Sequence, residues 1–195
     1  MGNNTVINAI IEDRKQTKKH LKEAIVWLTL SSFVFIVGLL YHKSTEHGTG
    51  LPKDVMADLI IVHKSARLMS LYHNGQLLKS YHIALGGAPI GRKEREGDKK
   101  TPEGYYTIDF HKADSGFHKA LHISYPSASD TVNARRLGVS PGGDIMIHGI
   151  RNGLGWIGNF HRSYDWTSGC VAVTNWEIDE IWSAVPDGTP IEIDP

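Results

Sequence analysis

Two residues of this 195-residue chain have the types and spacing for covalent chemistry: His148 and Cys170, the single cysteine. His148 and Gly149 end one short apolar run, and Thr167-Ser168-Gly169-Cys170 leads into the next. If both runs are strands, adjacent strand ends bring imidazole and thiol together. The thiolate is the nucleophilic form of cysteine, and a neighbouring imidazole takes the thiol proton or stabilises the anion. Gly169, without a Cβ, allows a tight turn before the sulfur, so the N–H groups of Gly169 and Cys170 are expected to face a developing oxyanion. Spacing alone leaves a second reading open, because a lone cysteine beside Val171, Ala172 and Val173 also fits a small buried hydrophobe.

Other residues carry weaker signals. Trp156, Phe160, His161, Tyr164 and Trp166 crowd the loop before Cys170, and either plug it or wall a ligand site, since aromatic rings combine apolar area with polar tips. Gly153, Gly155 and Gly158 satisfy G-x-G-x-x-G, but no helical pattern follows and too little chain remains for a nucleotide-binding βαβ unit, so a flexible loop is expected. His111, His118 and His122 lack the tight pairing of a metal motif and read as surface or cleft histidines. Arg92, Lys93 and Arg95 read as a solvated loop face or as cations for acidic peptide groups. One cysteine excludes an internal disulfide and a thiolate zinc site. With 21 acidic and 21 basic residues and no basic stripe, nucleic acid is not an expected partner.

The elements that must position these residues are mostly strands. Residues 58–64, 67–73 and 76–85 read as strands, and Asn74-Gly75 predicts a two-residue type I′ hairpin. A long loop is expected over 86–104, strands over 105–110 and 120–125, and a short helix over 127–138. Strands follow at 144–149 and 170–175. Thr174 and Glu177 form a capping-box pattern for a helix over 176–185, and residues 190–193 make a last strand. The expectation is a mainly β domain over 58–195, a sandwich or partly closed barrel with a few peripheral helices.

Ahead of it lie a basic tail (1–23), an uncharged apolar run (24–41) and a linker (42–57). The run approaches the ~20 residues that cross a bilayer as helix. Arg14, Lys15, Lys18, Lys19 and Lys22 precede it, which predicts a cytoplasmic N-terminus, a single pass through the cytoplasmic membrane and an exported domain. No small-x-small cleavage site follows, so the anchor is expected to be retained.

The wider pattern resembles the L,D-transpeptidase family, with its YkuD-type catalytic domain. Its marks are Ile145-Met146-Ile147-His148-Gly149, a glycine-rich loop and Thr167-Ser168-Gly169-Cys170, together with an earlier block: Leu71-Tyr72, Asn74-Gly75, Tyr81, Ala84-Leu85-Gly86, Gly97-Asp98, Lys100-Thr101-Pro102 and Gly104. The resemblance implies that Cys170 attacks a peptide carbonyl and His148 is the acid/base, with backbone around Gly149 orienting the imidazole. The implied substrate is the peptidoglycan stem peptide, whose acyl group passes to an amine or to water without metal or organic cofactor. Three departures accompany it: Ser168 where many members have His, a longer gap after His148, and Ala172 in place of a frequent Arg. Hydrolytic relatives, acting as murein L,D-carboxypeptidases or endopeptidases, are therefore an alternative, as is a non-catalytic peptidoglycan-binding module. A binding module, however, has no need of a base beside a thiol.

Overall fold

Leu59–His63 (β1), Leu68–His73 (β2) and Gln76–His82 (β3) form an antiparallel meander in the computed structural model, which describes residues 18, 20–22, 25–36, 50–52 and 54–195. The predicted hairpin is present: Asn74 and Gly75 both have positive φ, and His73 pairs with Gln76 across them. Gly104–Ser115 (β4), His118–Ile123 (β5), Met146–His148 (β6), Val171–Ala172 (β7) and Pro190–Asp194 (β8) complete one eight-stranded sheet in the order β3-β2-β1-β8-β4-β5-β6-β7. The β1/β8 and β6/β7 pairs are parallel and the others antiparallel.

β4 is twice as long as expected, because the polar stretch after Phe110 pairs with β5 in spite of its charges. Its first residues pair with β8 and the rest with β5, with register shifts that let the strand bend. The sheet curls until Ala84, just after β3, bridges to Ala172 of β7, so the partly closed barrel is the nearer of the two expected architectures. The inner face is apolar: Ile60, Val62, Leu71, Ile108, Leu121, Ile147 and Val171 are fully buried.

Residues 25–36 form the first helix (α1), in the N-terminal unit Met1–Gly48; its apolar side chains, such as Trp27 and Phe35, are exposed. Residues 24 and 37–41 of the expected span lie outside the described residues, and no helix among the described residues is long and apolar enough to cross a membrane. The second unit begins at Thr49 rather than at residue 58. Leu51 packs on its core and Ala57 is buried, so the end of the expected linker belongs to the folded domain.

Two helices flank the sheet. Ala128–Arg136 (α2) is capped by Ser127 with Asp130, and Asn175–Ala184 (α3) by Thr174 with Glu177, the capping box expected there. The long loop between β3 and β4 is held from inside. Lys64, 2% exposed, donates to the carbonyls of Gly91 and Thr101 and to Glu103. Lys93 is also buried, paired with Asp98, while Arg92 pairs with Asp130. Lys93 is therefore a buried loop staple rather than part of a solvated face, whereas Arg92 and Arg95 are exposed as expected. Burial works to raise the Asp98 carboxyl, but Lys93 and three backbone N–H groups hold it down at about 2.

Candidate active site

Side-chain alternation divides β6 and β7 between two tasks. Ile145, Ile147, Val171 and Val173 enter the core. Met146, His148 and Cys170 point the other way and line a cavity of about 700 Å³. In the parallel register, Ile147 pairs with Val171 and His148 with Ala172, which puts Cys170 one diagonal step from His148 on the same face. Strand spacing and rise make that step roughly 8 Å between backbones, within reach of an imidazole and a thiol.

His148 is buried, and its Nδ1–H donates to the Gly149 carbonyl at 2.7 Å. A carbonyl only accepts, so this bond fixes the tautomer and leaves Nε2 as the acceptor. Burial holds the imidazole pKa below its ordinary value, against the opposing pull of Gly149. The supporting peptide is fixed in turn by Asn175, whose Oδ1 accepts from Ile150 N–H at 2.8 Å. A Cβ on Gly149 would stand 2.8 Å from that oxygen and 3.0 Å from the Phe117 carbonyl. Gly149→Ala is therefore expected to cost about 1–3 kcal/mol of stability, as overpacking does. An unchanged denaturation midpoint would refute that tightness.

The sulfur of Cys170 lies 3.6 Å from the Asp144 carbonyl. Burial pushes the thiol pKa up, although the Met146 N–H directed at the sulfur favours the thiolate. The turn before it is braced by Thr167, whose Oγ1 accepts from Gly169 N–H and donates to the Cys170 carbonyl. That corrects one expectation: the Gly169 N–H is committed to Thr167 and does not face the cavity as an oxyanion donor. Gly169 is needed for its backbone, with φ +133° and a Cβ position only 2.7 Å from the Lys100 carbonyl. Farther back, Asp165 receives Arg67 in a forked ion pair and accepts from Leu85 N–H, tying the turn to the segment after β3.

This arrangement, a glycine-preceded thiol beside an imidazole on a curled sheet, coincides with a family match: residues 57–193 match the L,D-transpeptidase catalytic domain, YkuD. The chain belongs to the L,D-transpeptidase family. YafK of Escherichia coli (strain K12) is 35% identical to it over 173 residues, a span of 83% of this chain and 62% of that relative. The helical cell shape determining protein Pgp2 from Campylobacter jejuni superposes with a TM-score of 0.53 at 22% identity, covering 72% of this chain and 48% of Pgp2. A K307A mutant of Pgp2 gives 0.54, with 76% and 50% covered. At that identity the likeness is one of fold.

In this L,D-transpeptidase domain, Ser168, Tyr164, Trp166 and His161 line the cavity as well. Trp156 does not. It is 81% exposed, because Gly155–Ser163 is a 3₁₀ stretch kinked at Gly158 that turns Trp156 outward and His161 inward. His111, His118 and His122 face Asp187, Asp179 and Asp109 respectively, three separate pairs. Sequence reading missed Thr167 and Asn175 as braces, and it missed Lys112. Lys112 pairs with Ala120, and Ala120 with His148, so the lysine shares the face of the imidazole; it lines the cavity and has no ion pair among the described residues. A longer β4 would have revealed it.

Proposed function

We propose that this chain is a membrane-anchored L,D-transpeptidase that acts on peptidoglycan stem peptides through a thioester on Cys170. The observation that carries the proposal is the shared face of His148 and Cys170 above one cavity, with the imidazole's Nδ1 fixed and its Nε2 free to accept. Nε2 takes the thiol proton as sulfur attacks the peptide carbonyl carbon; the tetrahedral adduct collapses, and the proton passes to the departing amine. The resulting thioester is attacked by an amine or by water, whose proton goes to Nε2 and then to the leaving sulfur. Amine attack gives a cross-link and water gives a hydrolysed peptide. Ala172 is fully buried and absent from the cavity wall, so that position offers no cation for an acceptor carboxylate. Lys112 and Arg151 line the cavity, and neither has an ion pair among the described residues. Incubating the protein with purified stem tetrapeptide, with and without acceptor amine, and resolving the products by mass tests the reading. Unchanged tetrapeptide under both conditions would defeat it.

The anchor is part of the proposal. α1 is largely apolar and exposed over its described length, and two of its hydroxyls bond back into the helix, Thr29 to the Val26 carbonyl and Ser32 to that of Leu28. Such back-bonding lets a hydroxyl sit in hydrocarbon. A reporter active only outside the cytoplasm, fused after Pro195, is expected to give signal. Signal from a cytoplasmic reporter alone would reverse the orientation.

A further inference from the structure

His161 differs from every other histidine of the catalytic domain. It is only 3% exposed, it lines the cavity beside Cys170 and His148, and neither of its ring nitrogens has a hydrogen-bond partner. Trp166, whose ring centroid lies 6.4 Å away at 86°, has an equally unpartnered and buried Nε1. Among the described residues four buried side-chain nitrogens or oxygens lack a partner; three belong to these two residues and the fourth is Nε of Arg162. Folded proteins pair nearly all such groups, and exceptions concentrated in one cavity wall mark a place where something else supplies the bonds.

We propose that His161 and Trp166 form a hydrogen-bonding subsite that reads an uncharged backbone amide of the bound peptide. The subsite rests on the stem-peptide assignment of this cavity and specifies what part of the peptide one wall recognises. Donor and acceptor counts select the ligand. Burial foremost, then the Arg162 charge and repulsion against a protonated His148, lower the His161 pKa to about 4, so the ring is neutral near pH 7 and carries one N–H and one lone pair. Trp166 adds a donor only. Two donors and one acceptor match an amide, whose oxygen accepts twice and whose N–H donates. A carboxylate offers acceptors alone and leaves the imidazole lone pair unmatched; an ammonium offers donors alone and leaves both N–H groups unmatched. Arg162 does not alter the count at this wall, because it does not line this cavity and its terminal nitrogens are committed to Asn159 and Glu177.

Local structure presents the pair for this use. The Gly158 kink, with φ 48° and ψ −131°, reverses the 3₁₀ stretch so that His161 turns in while Trp156 and Phe160 remain exposed. Trp166 also contacts the His148 ring, at 5.7 Å between centroids, so the subsite adjoins the imidazole.

The test uses the full chain carrying Cys170→Ala, which binds without turnover, titrated by calorimetry with a synthetic stem tetrapeptide. Adding His161→Phe keeps a ring of similar size and removes both nitrogens; it also removes the unpaired groups, which favours folding. Adding His161→Gln instead restores one donor and one acceptor. The phenylalanine change is expected to weaken binding about tenfold or more, and the glutamine change to recover most of that loss. Equal affinity in the phenylalanine variant overturns the subsite. So does a glutamine variant no tighter than the phenylalanine one, since shape would then be what matters. No binding by the Cys170→Ala parent overturns the stem-peptide assignment itself, and the subsite with it.

Discussion

Cys170→Ala is expected to abolish product formation from stem tetrapeptide, to the limit of detection, with the unfolding transition in place. The proposed mechanism has one covalent nucleophile, and the protein contains no second thiol to replace it. Structurally the change is mild. Sγ faces the cavity rather than the core, and it meets only backbone groups, the Asp144 carbonyl at 3.6 Å and the Met146 N–H. The turn that presents it is held by Thr167 and Asp165, neither of which depends on sulfur. Ser168→Ala is the matching control: Ser168 is exposed on the cavity rim, and its loss is expected to leave measurable activity. Wild-type turnover by Cys170→Ala would remove the thioester mechanism entirely.

His148→Ala is expected to reduce kcat/KM by more than the roughly hundredfold contribution at the lower end of general acid-base catalysis. His161→Ala should lose less, since His161 is placed to hold the peptide rather than to move the thiol proton. The reverse order would show that the wrong imidazole had been chosen. A pH profile adds a second reading of the same residue. His148 serves as base only when neutral, and burial depresses its pKa, so proton uptake is deferred to lower pH. The acidic limb of kcat/KM is therefore expected below about 6.5, the ordinary histidine value. The thiol pKa is pushed the other way by burial. Near neutrality the resting pair is thus thiol and neutral imidazole, and in the proposed mechanism the proton moves as the substrate is attacked. An acidic limb centred above 7 would contradict this order of events.

Much of this was readable from residues because local chemistry and tertiary structure agree. Asn74-Gly75 has few alternatives to a tight hairpin, and Ser127 with Asp130 and Thr174 with Glu177 cap helices through bonds of their own neighbourhoods. His148 and Cys170 were legible because glycine and apolar runs flank both. What escaped was decided by distant partners. The charged second half of β4 becomes strand only because β5 lies beside it, which hid Lys112. Lys93 looked solvated until folding supplied Asp98, and the Gly169 N–H looked available until Thr167 claimed it. Trp156 and His161, five residues apart, were alike in sequence; the kink at Gly158 separates them.

The division of β6 and β7 between core and cavity makes the enzyme unequally tolerant of gains and losses of residues. Removing one residue between Ile145 and His148 would exchange parity, sending the imidazole toward the oil of the interior and an isoleucine toward the substrate. The stretch from Gly149 to Gly169 has no such constraint along most of its length, since doubling a loop costs only about 0.6 kcal/mol in closure entropy. Its length between imidazole and thiol therefore leaves their geometry untouched. Evolution is free to lengthen the connection, and to vary what it contacts, while the two strands keep count.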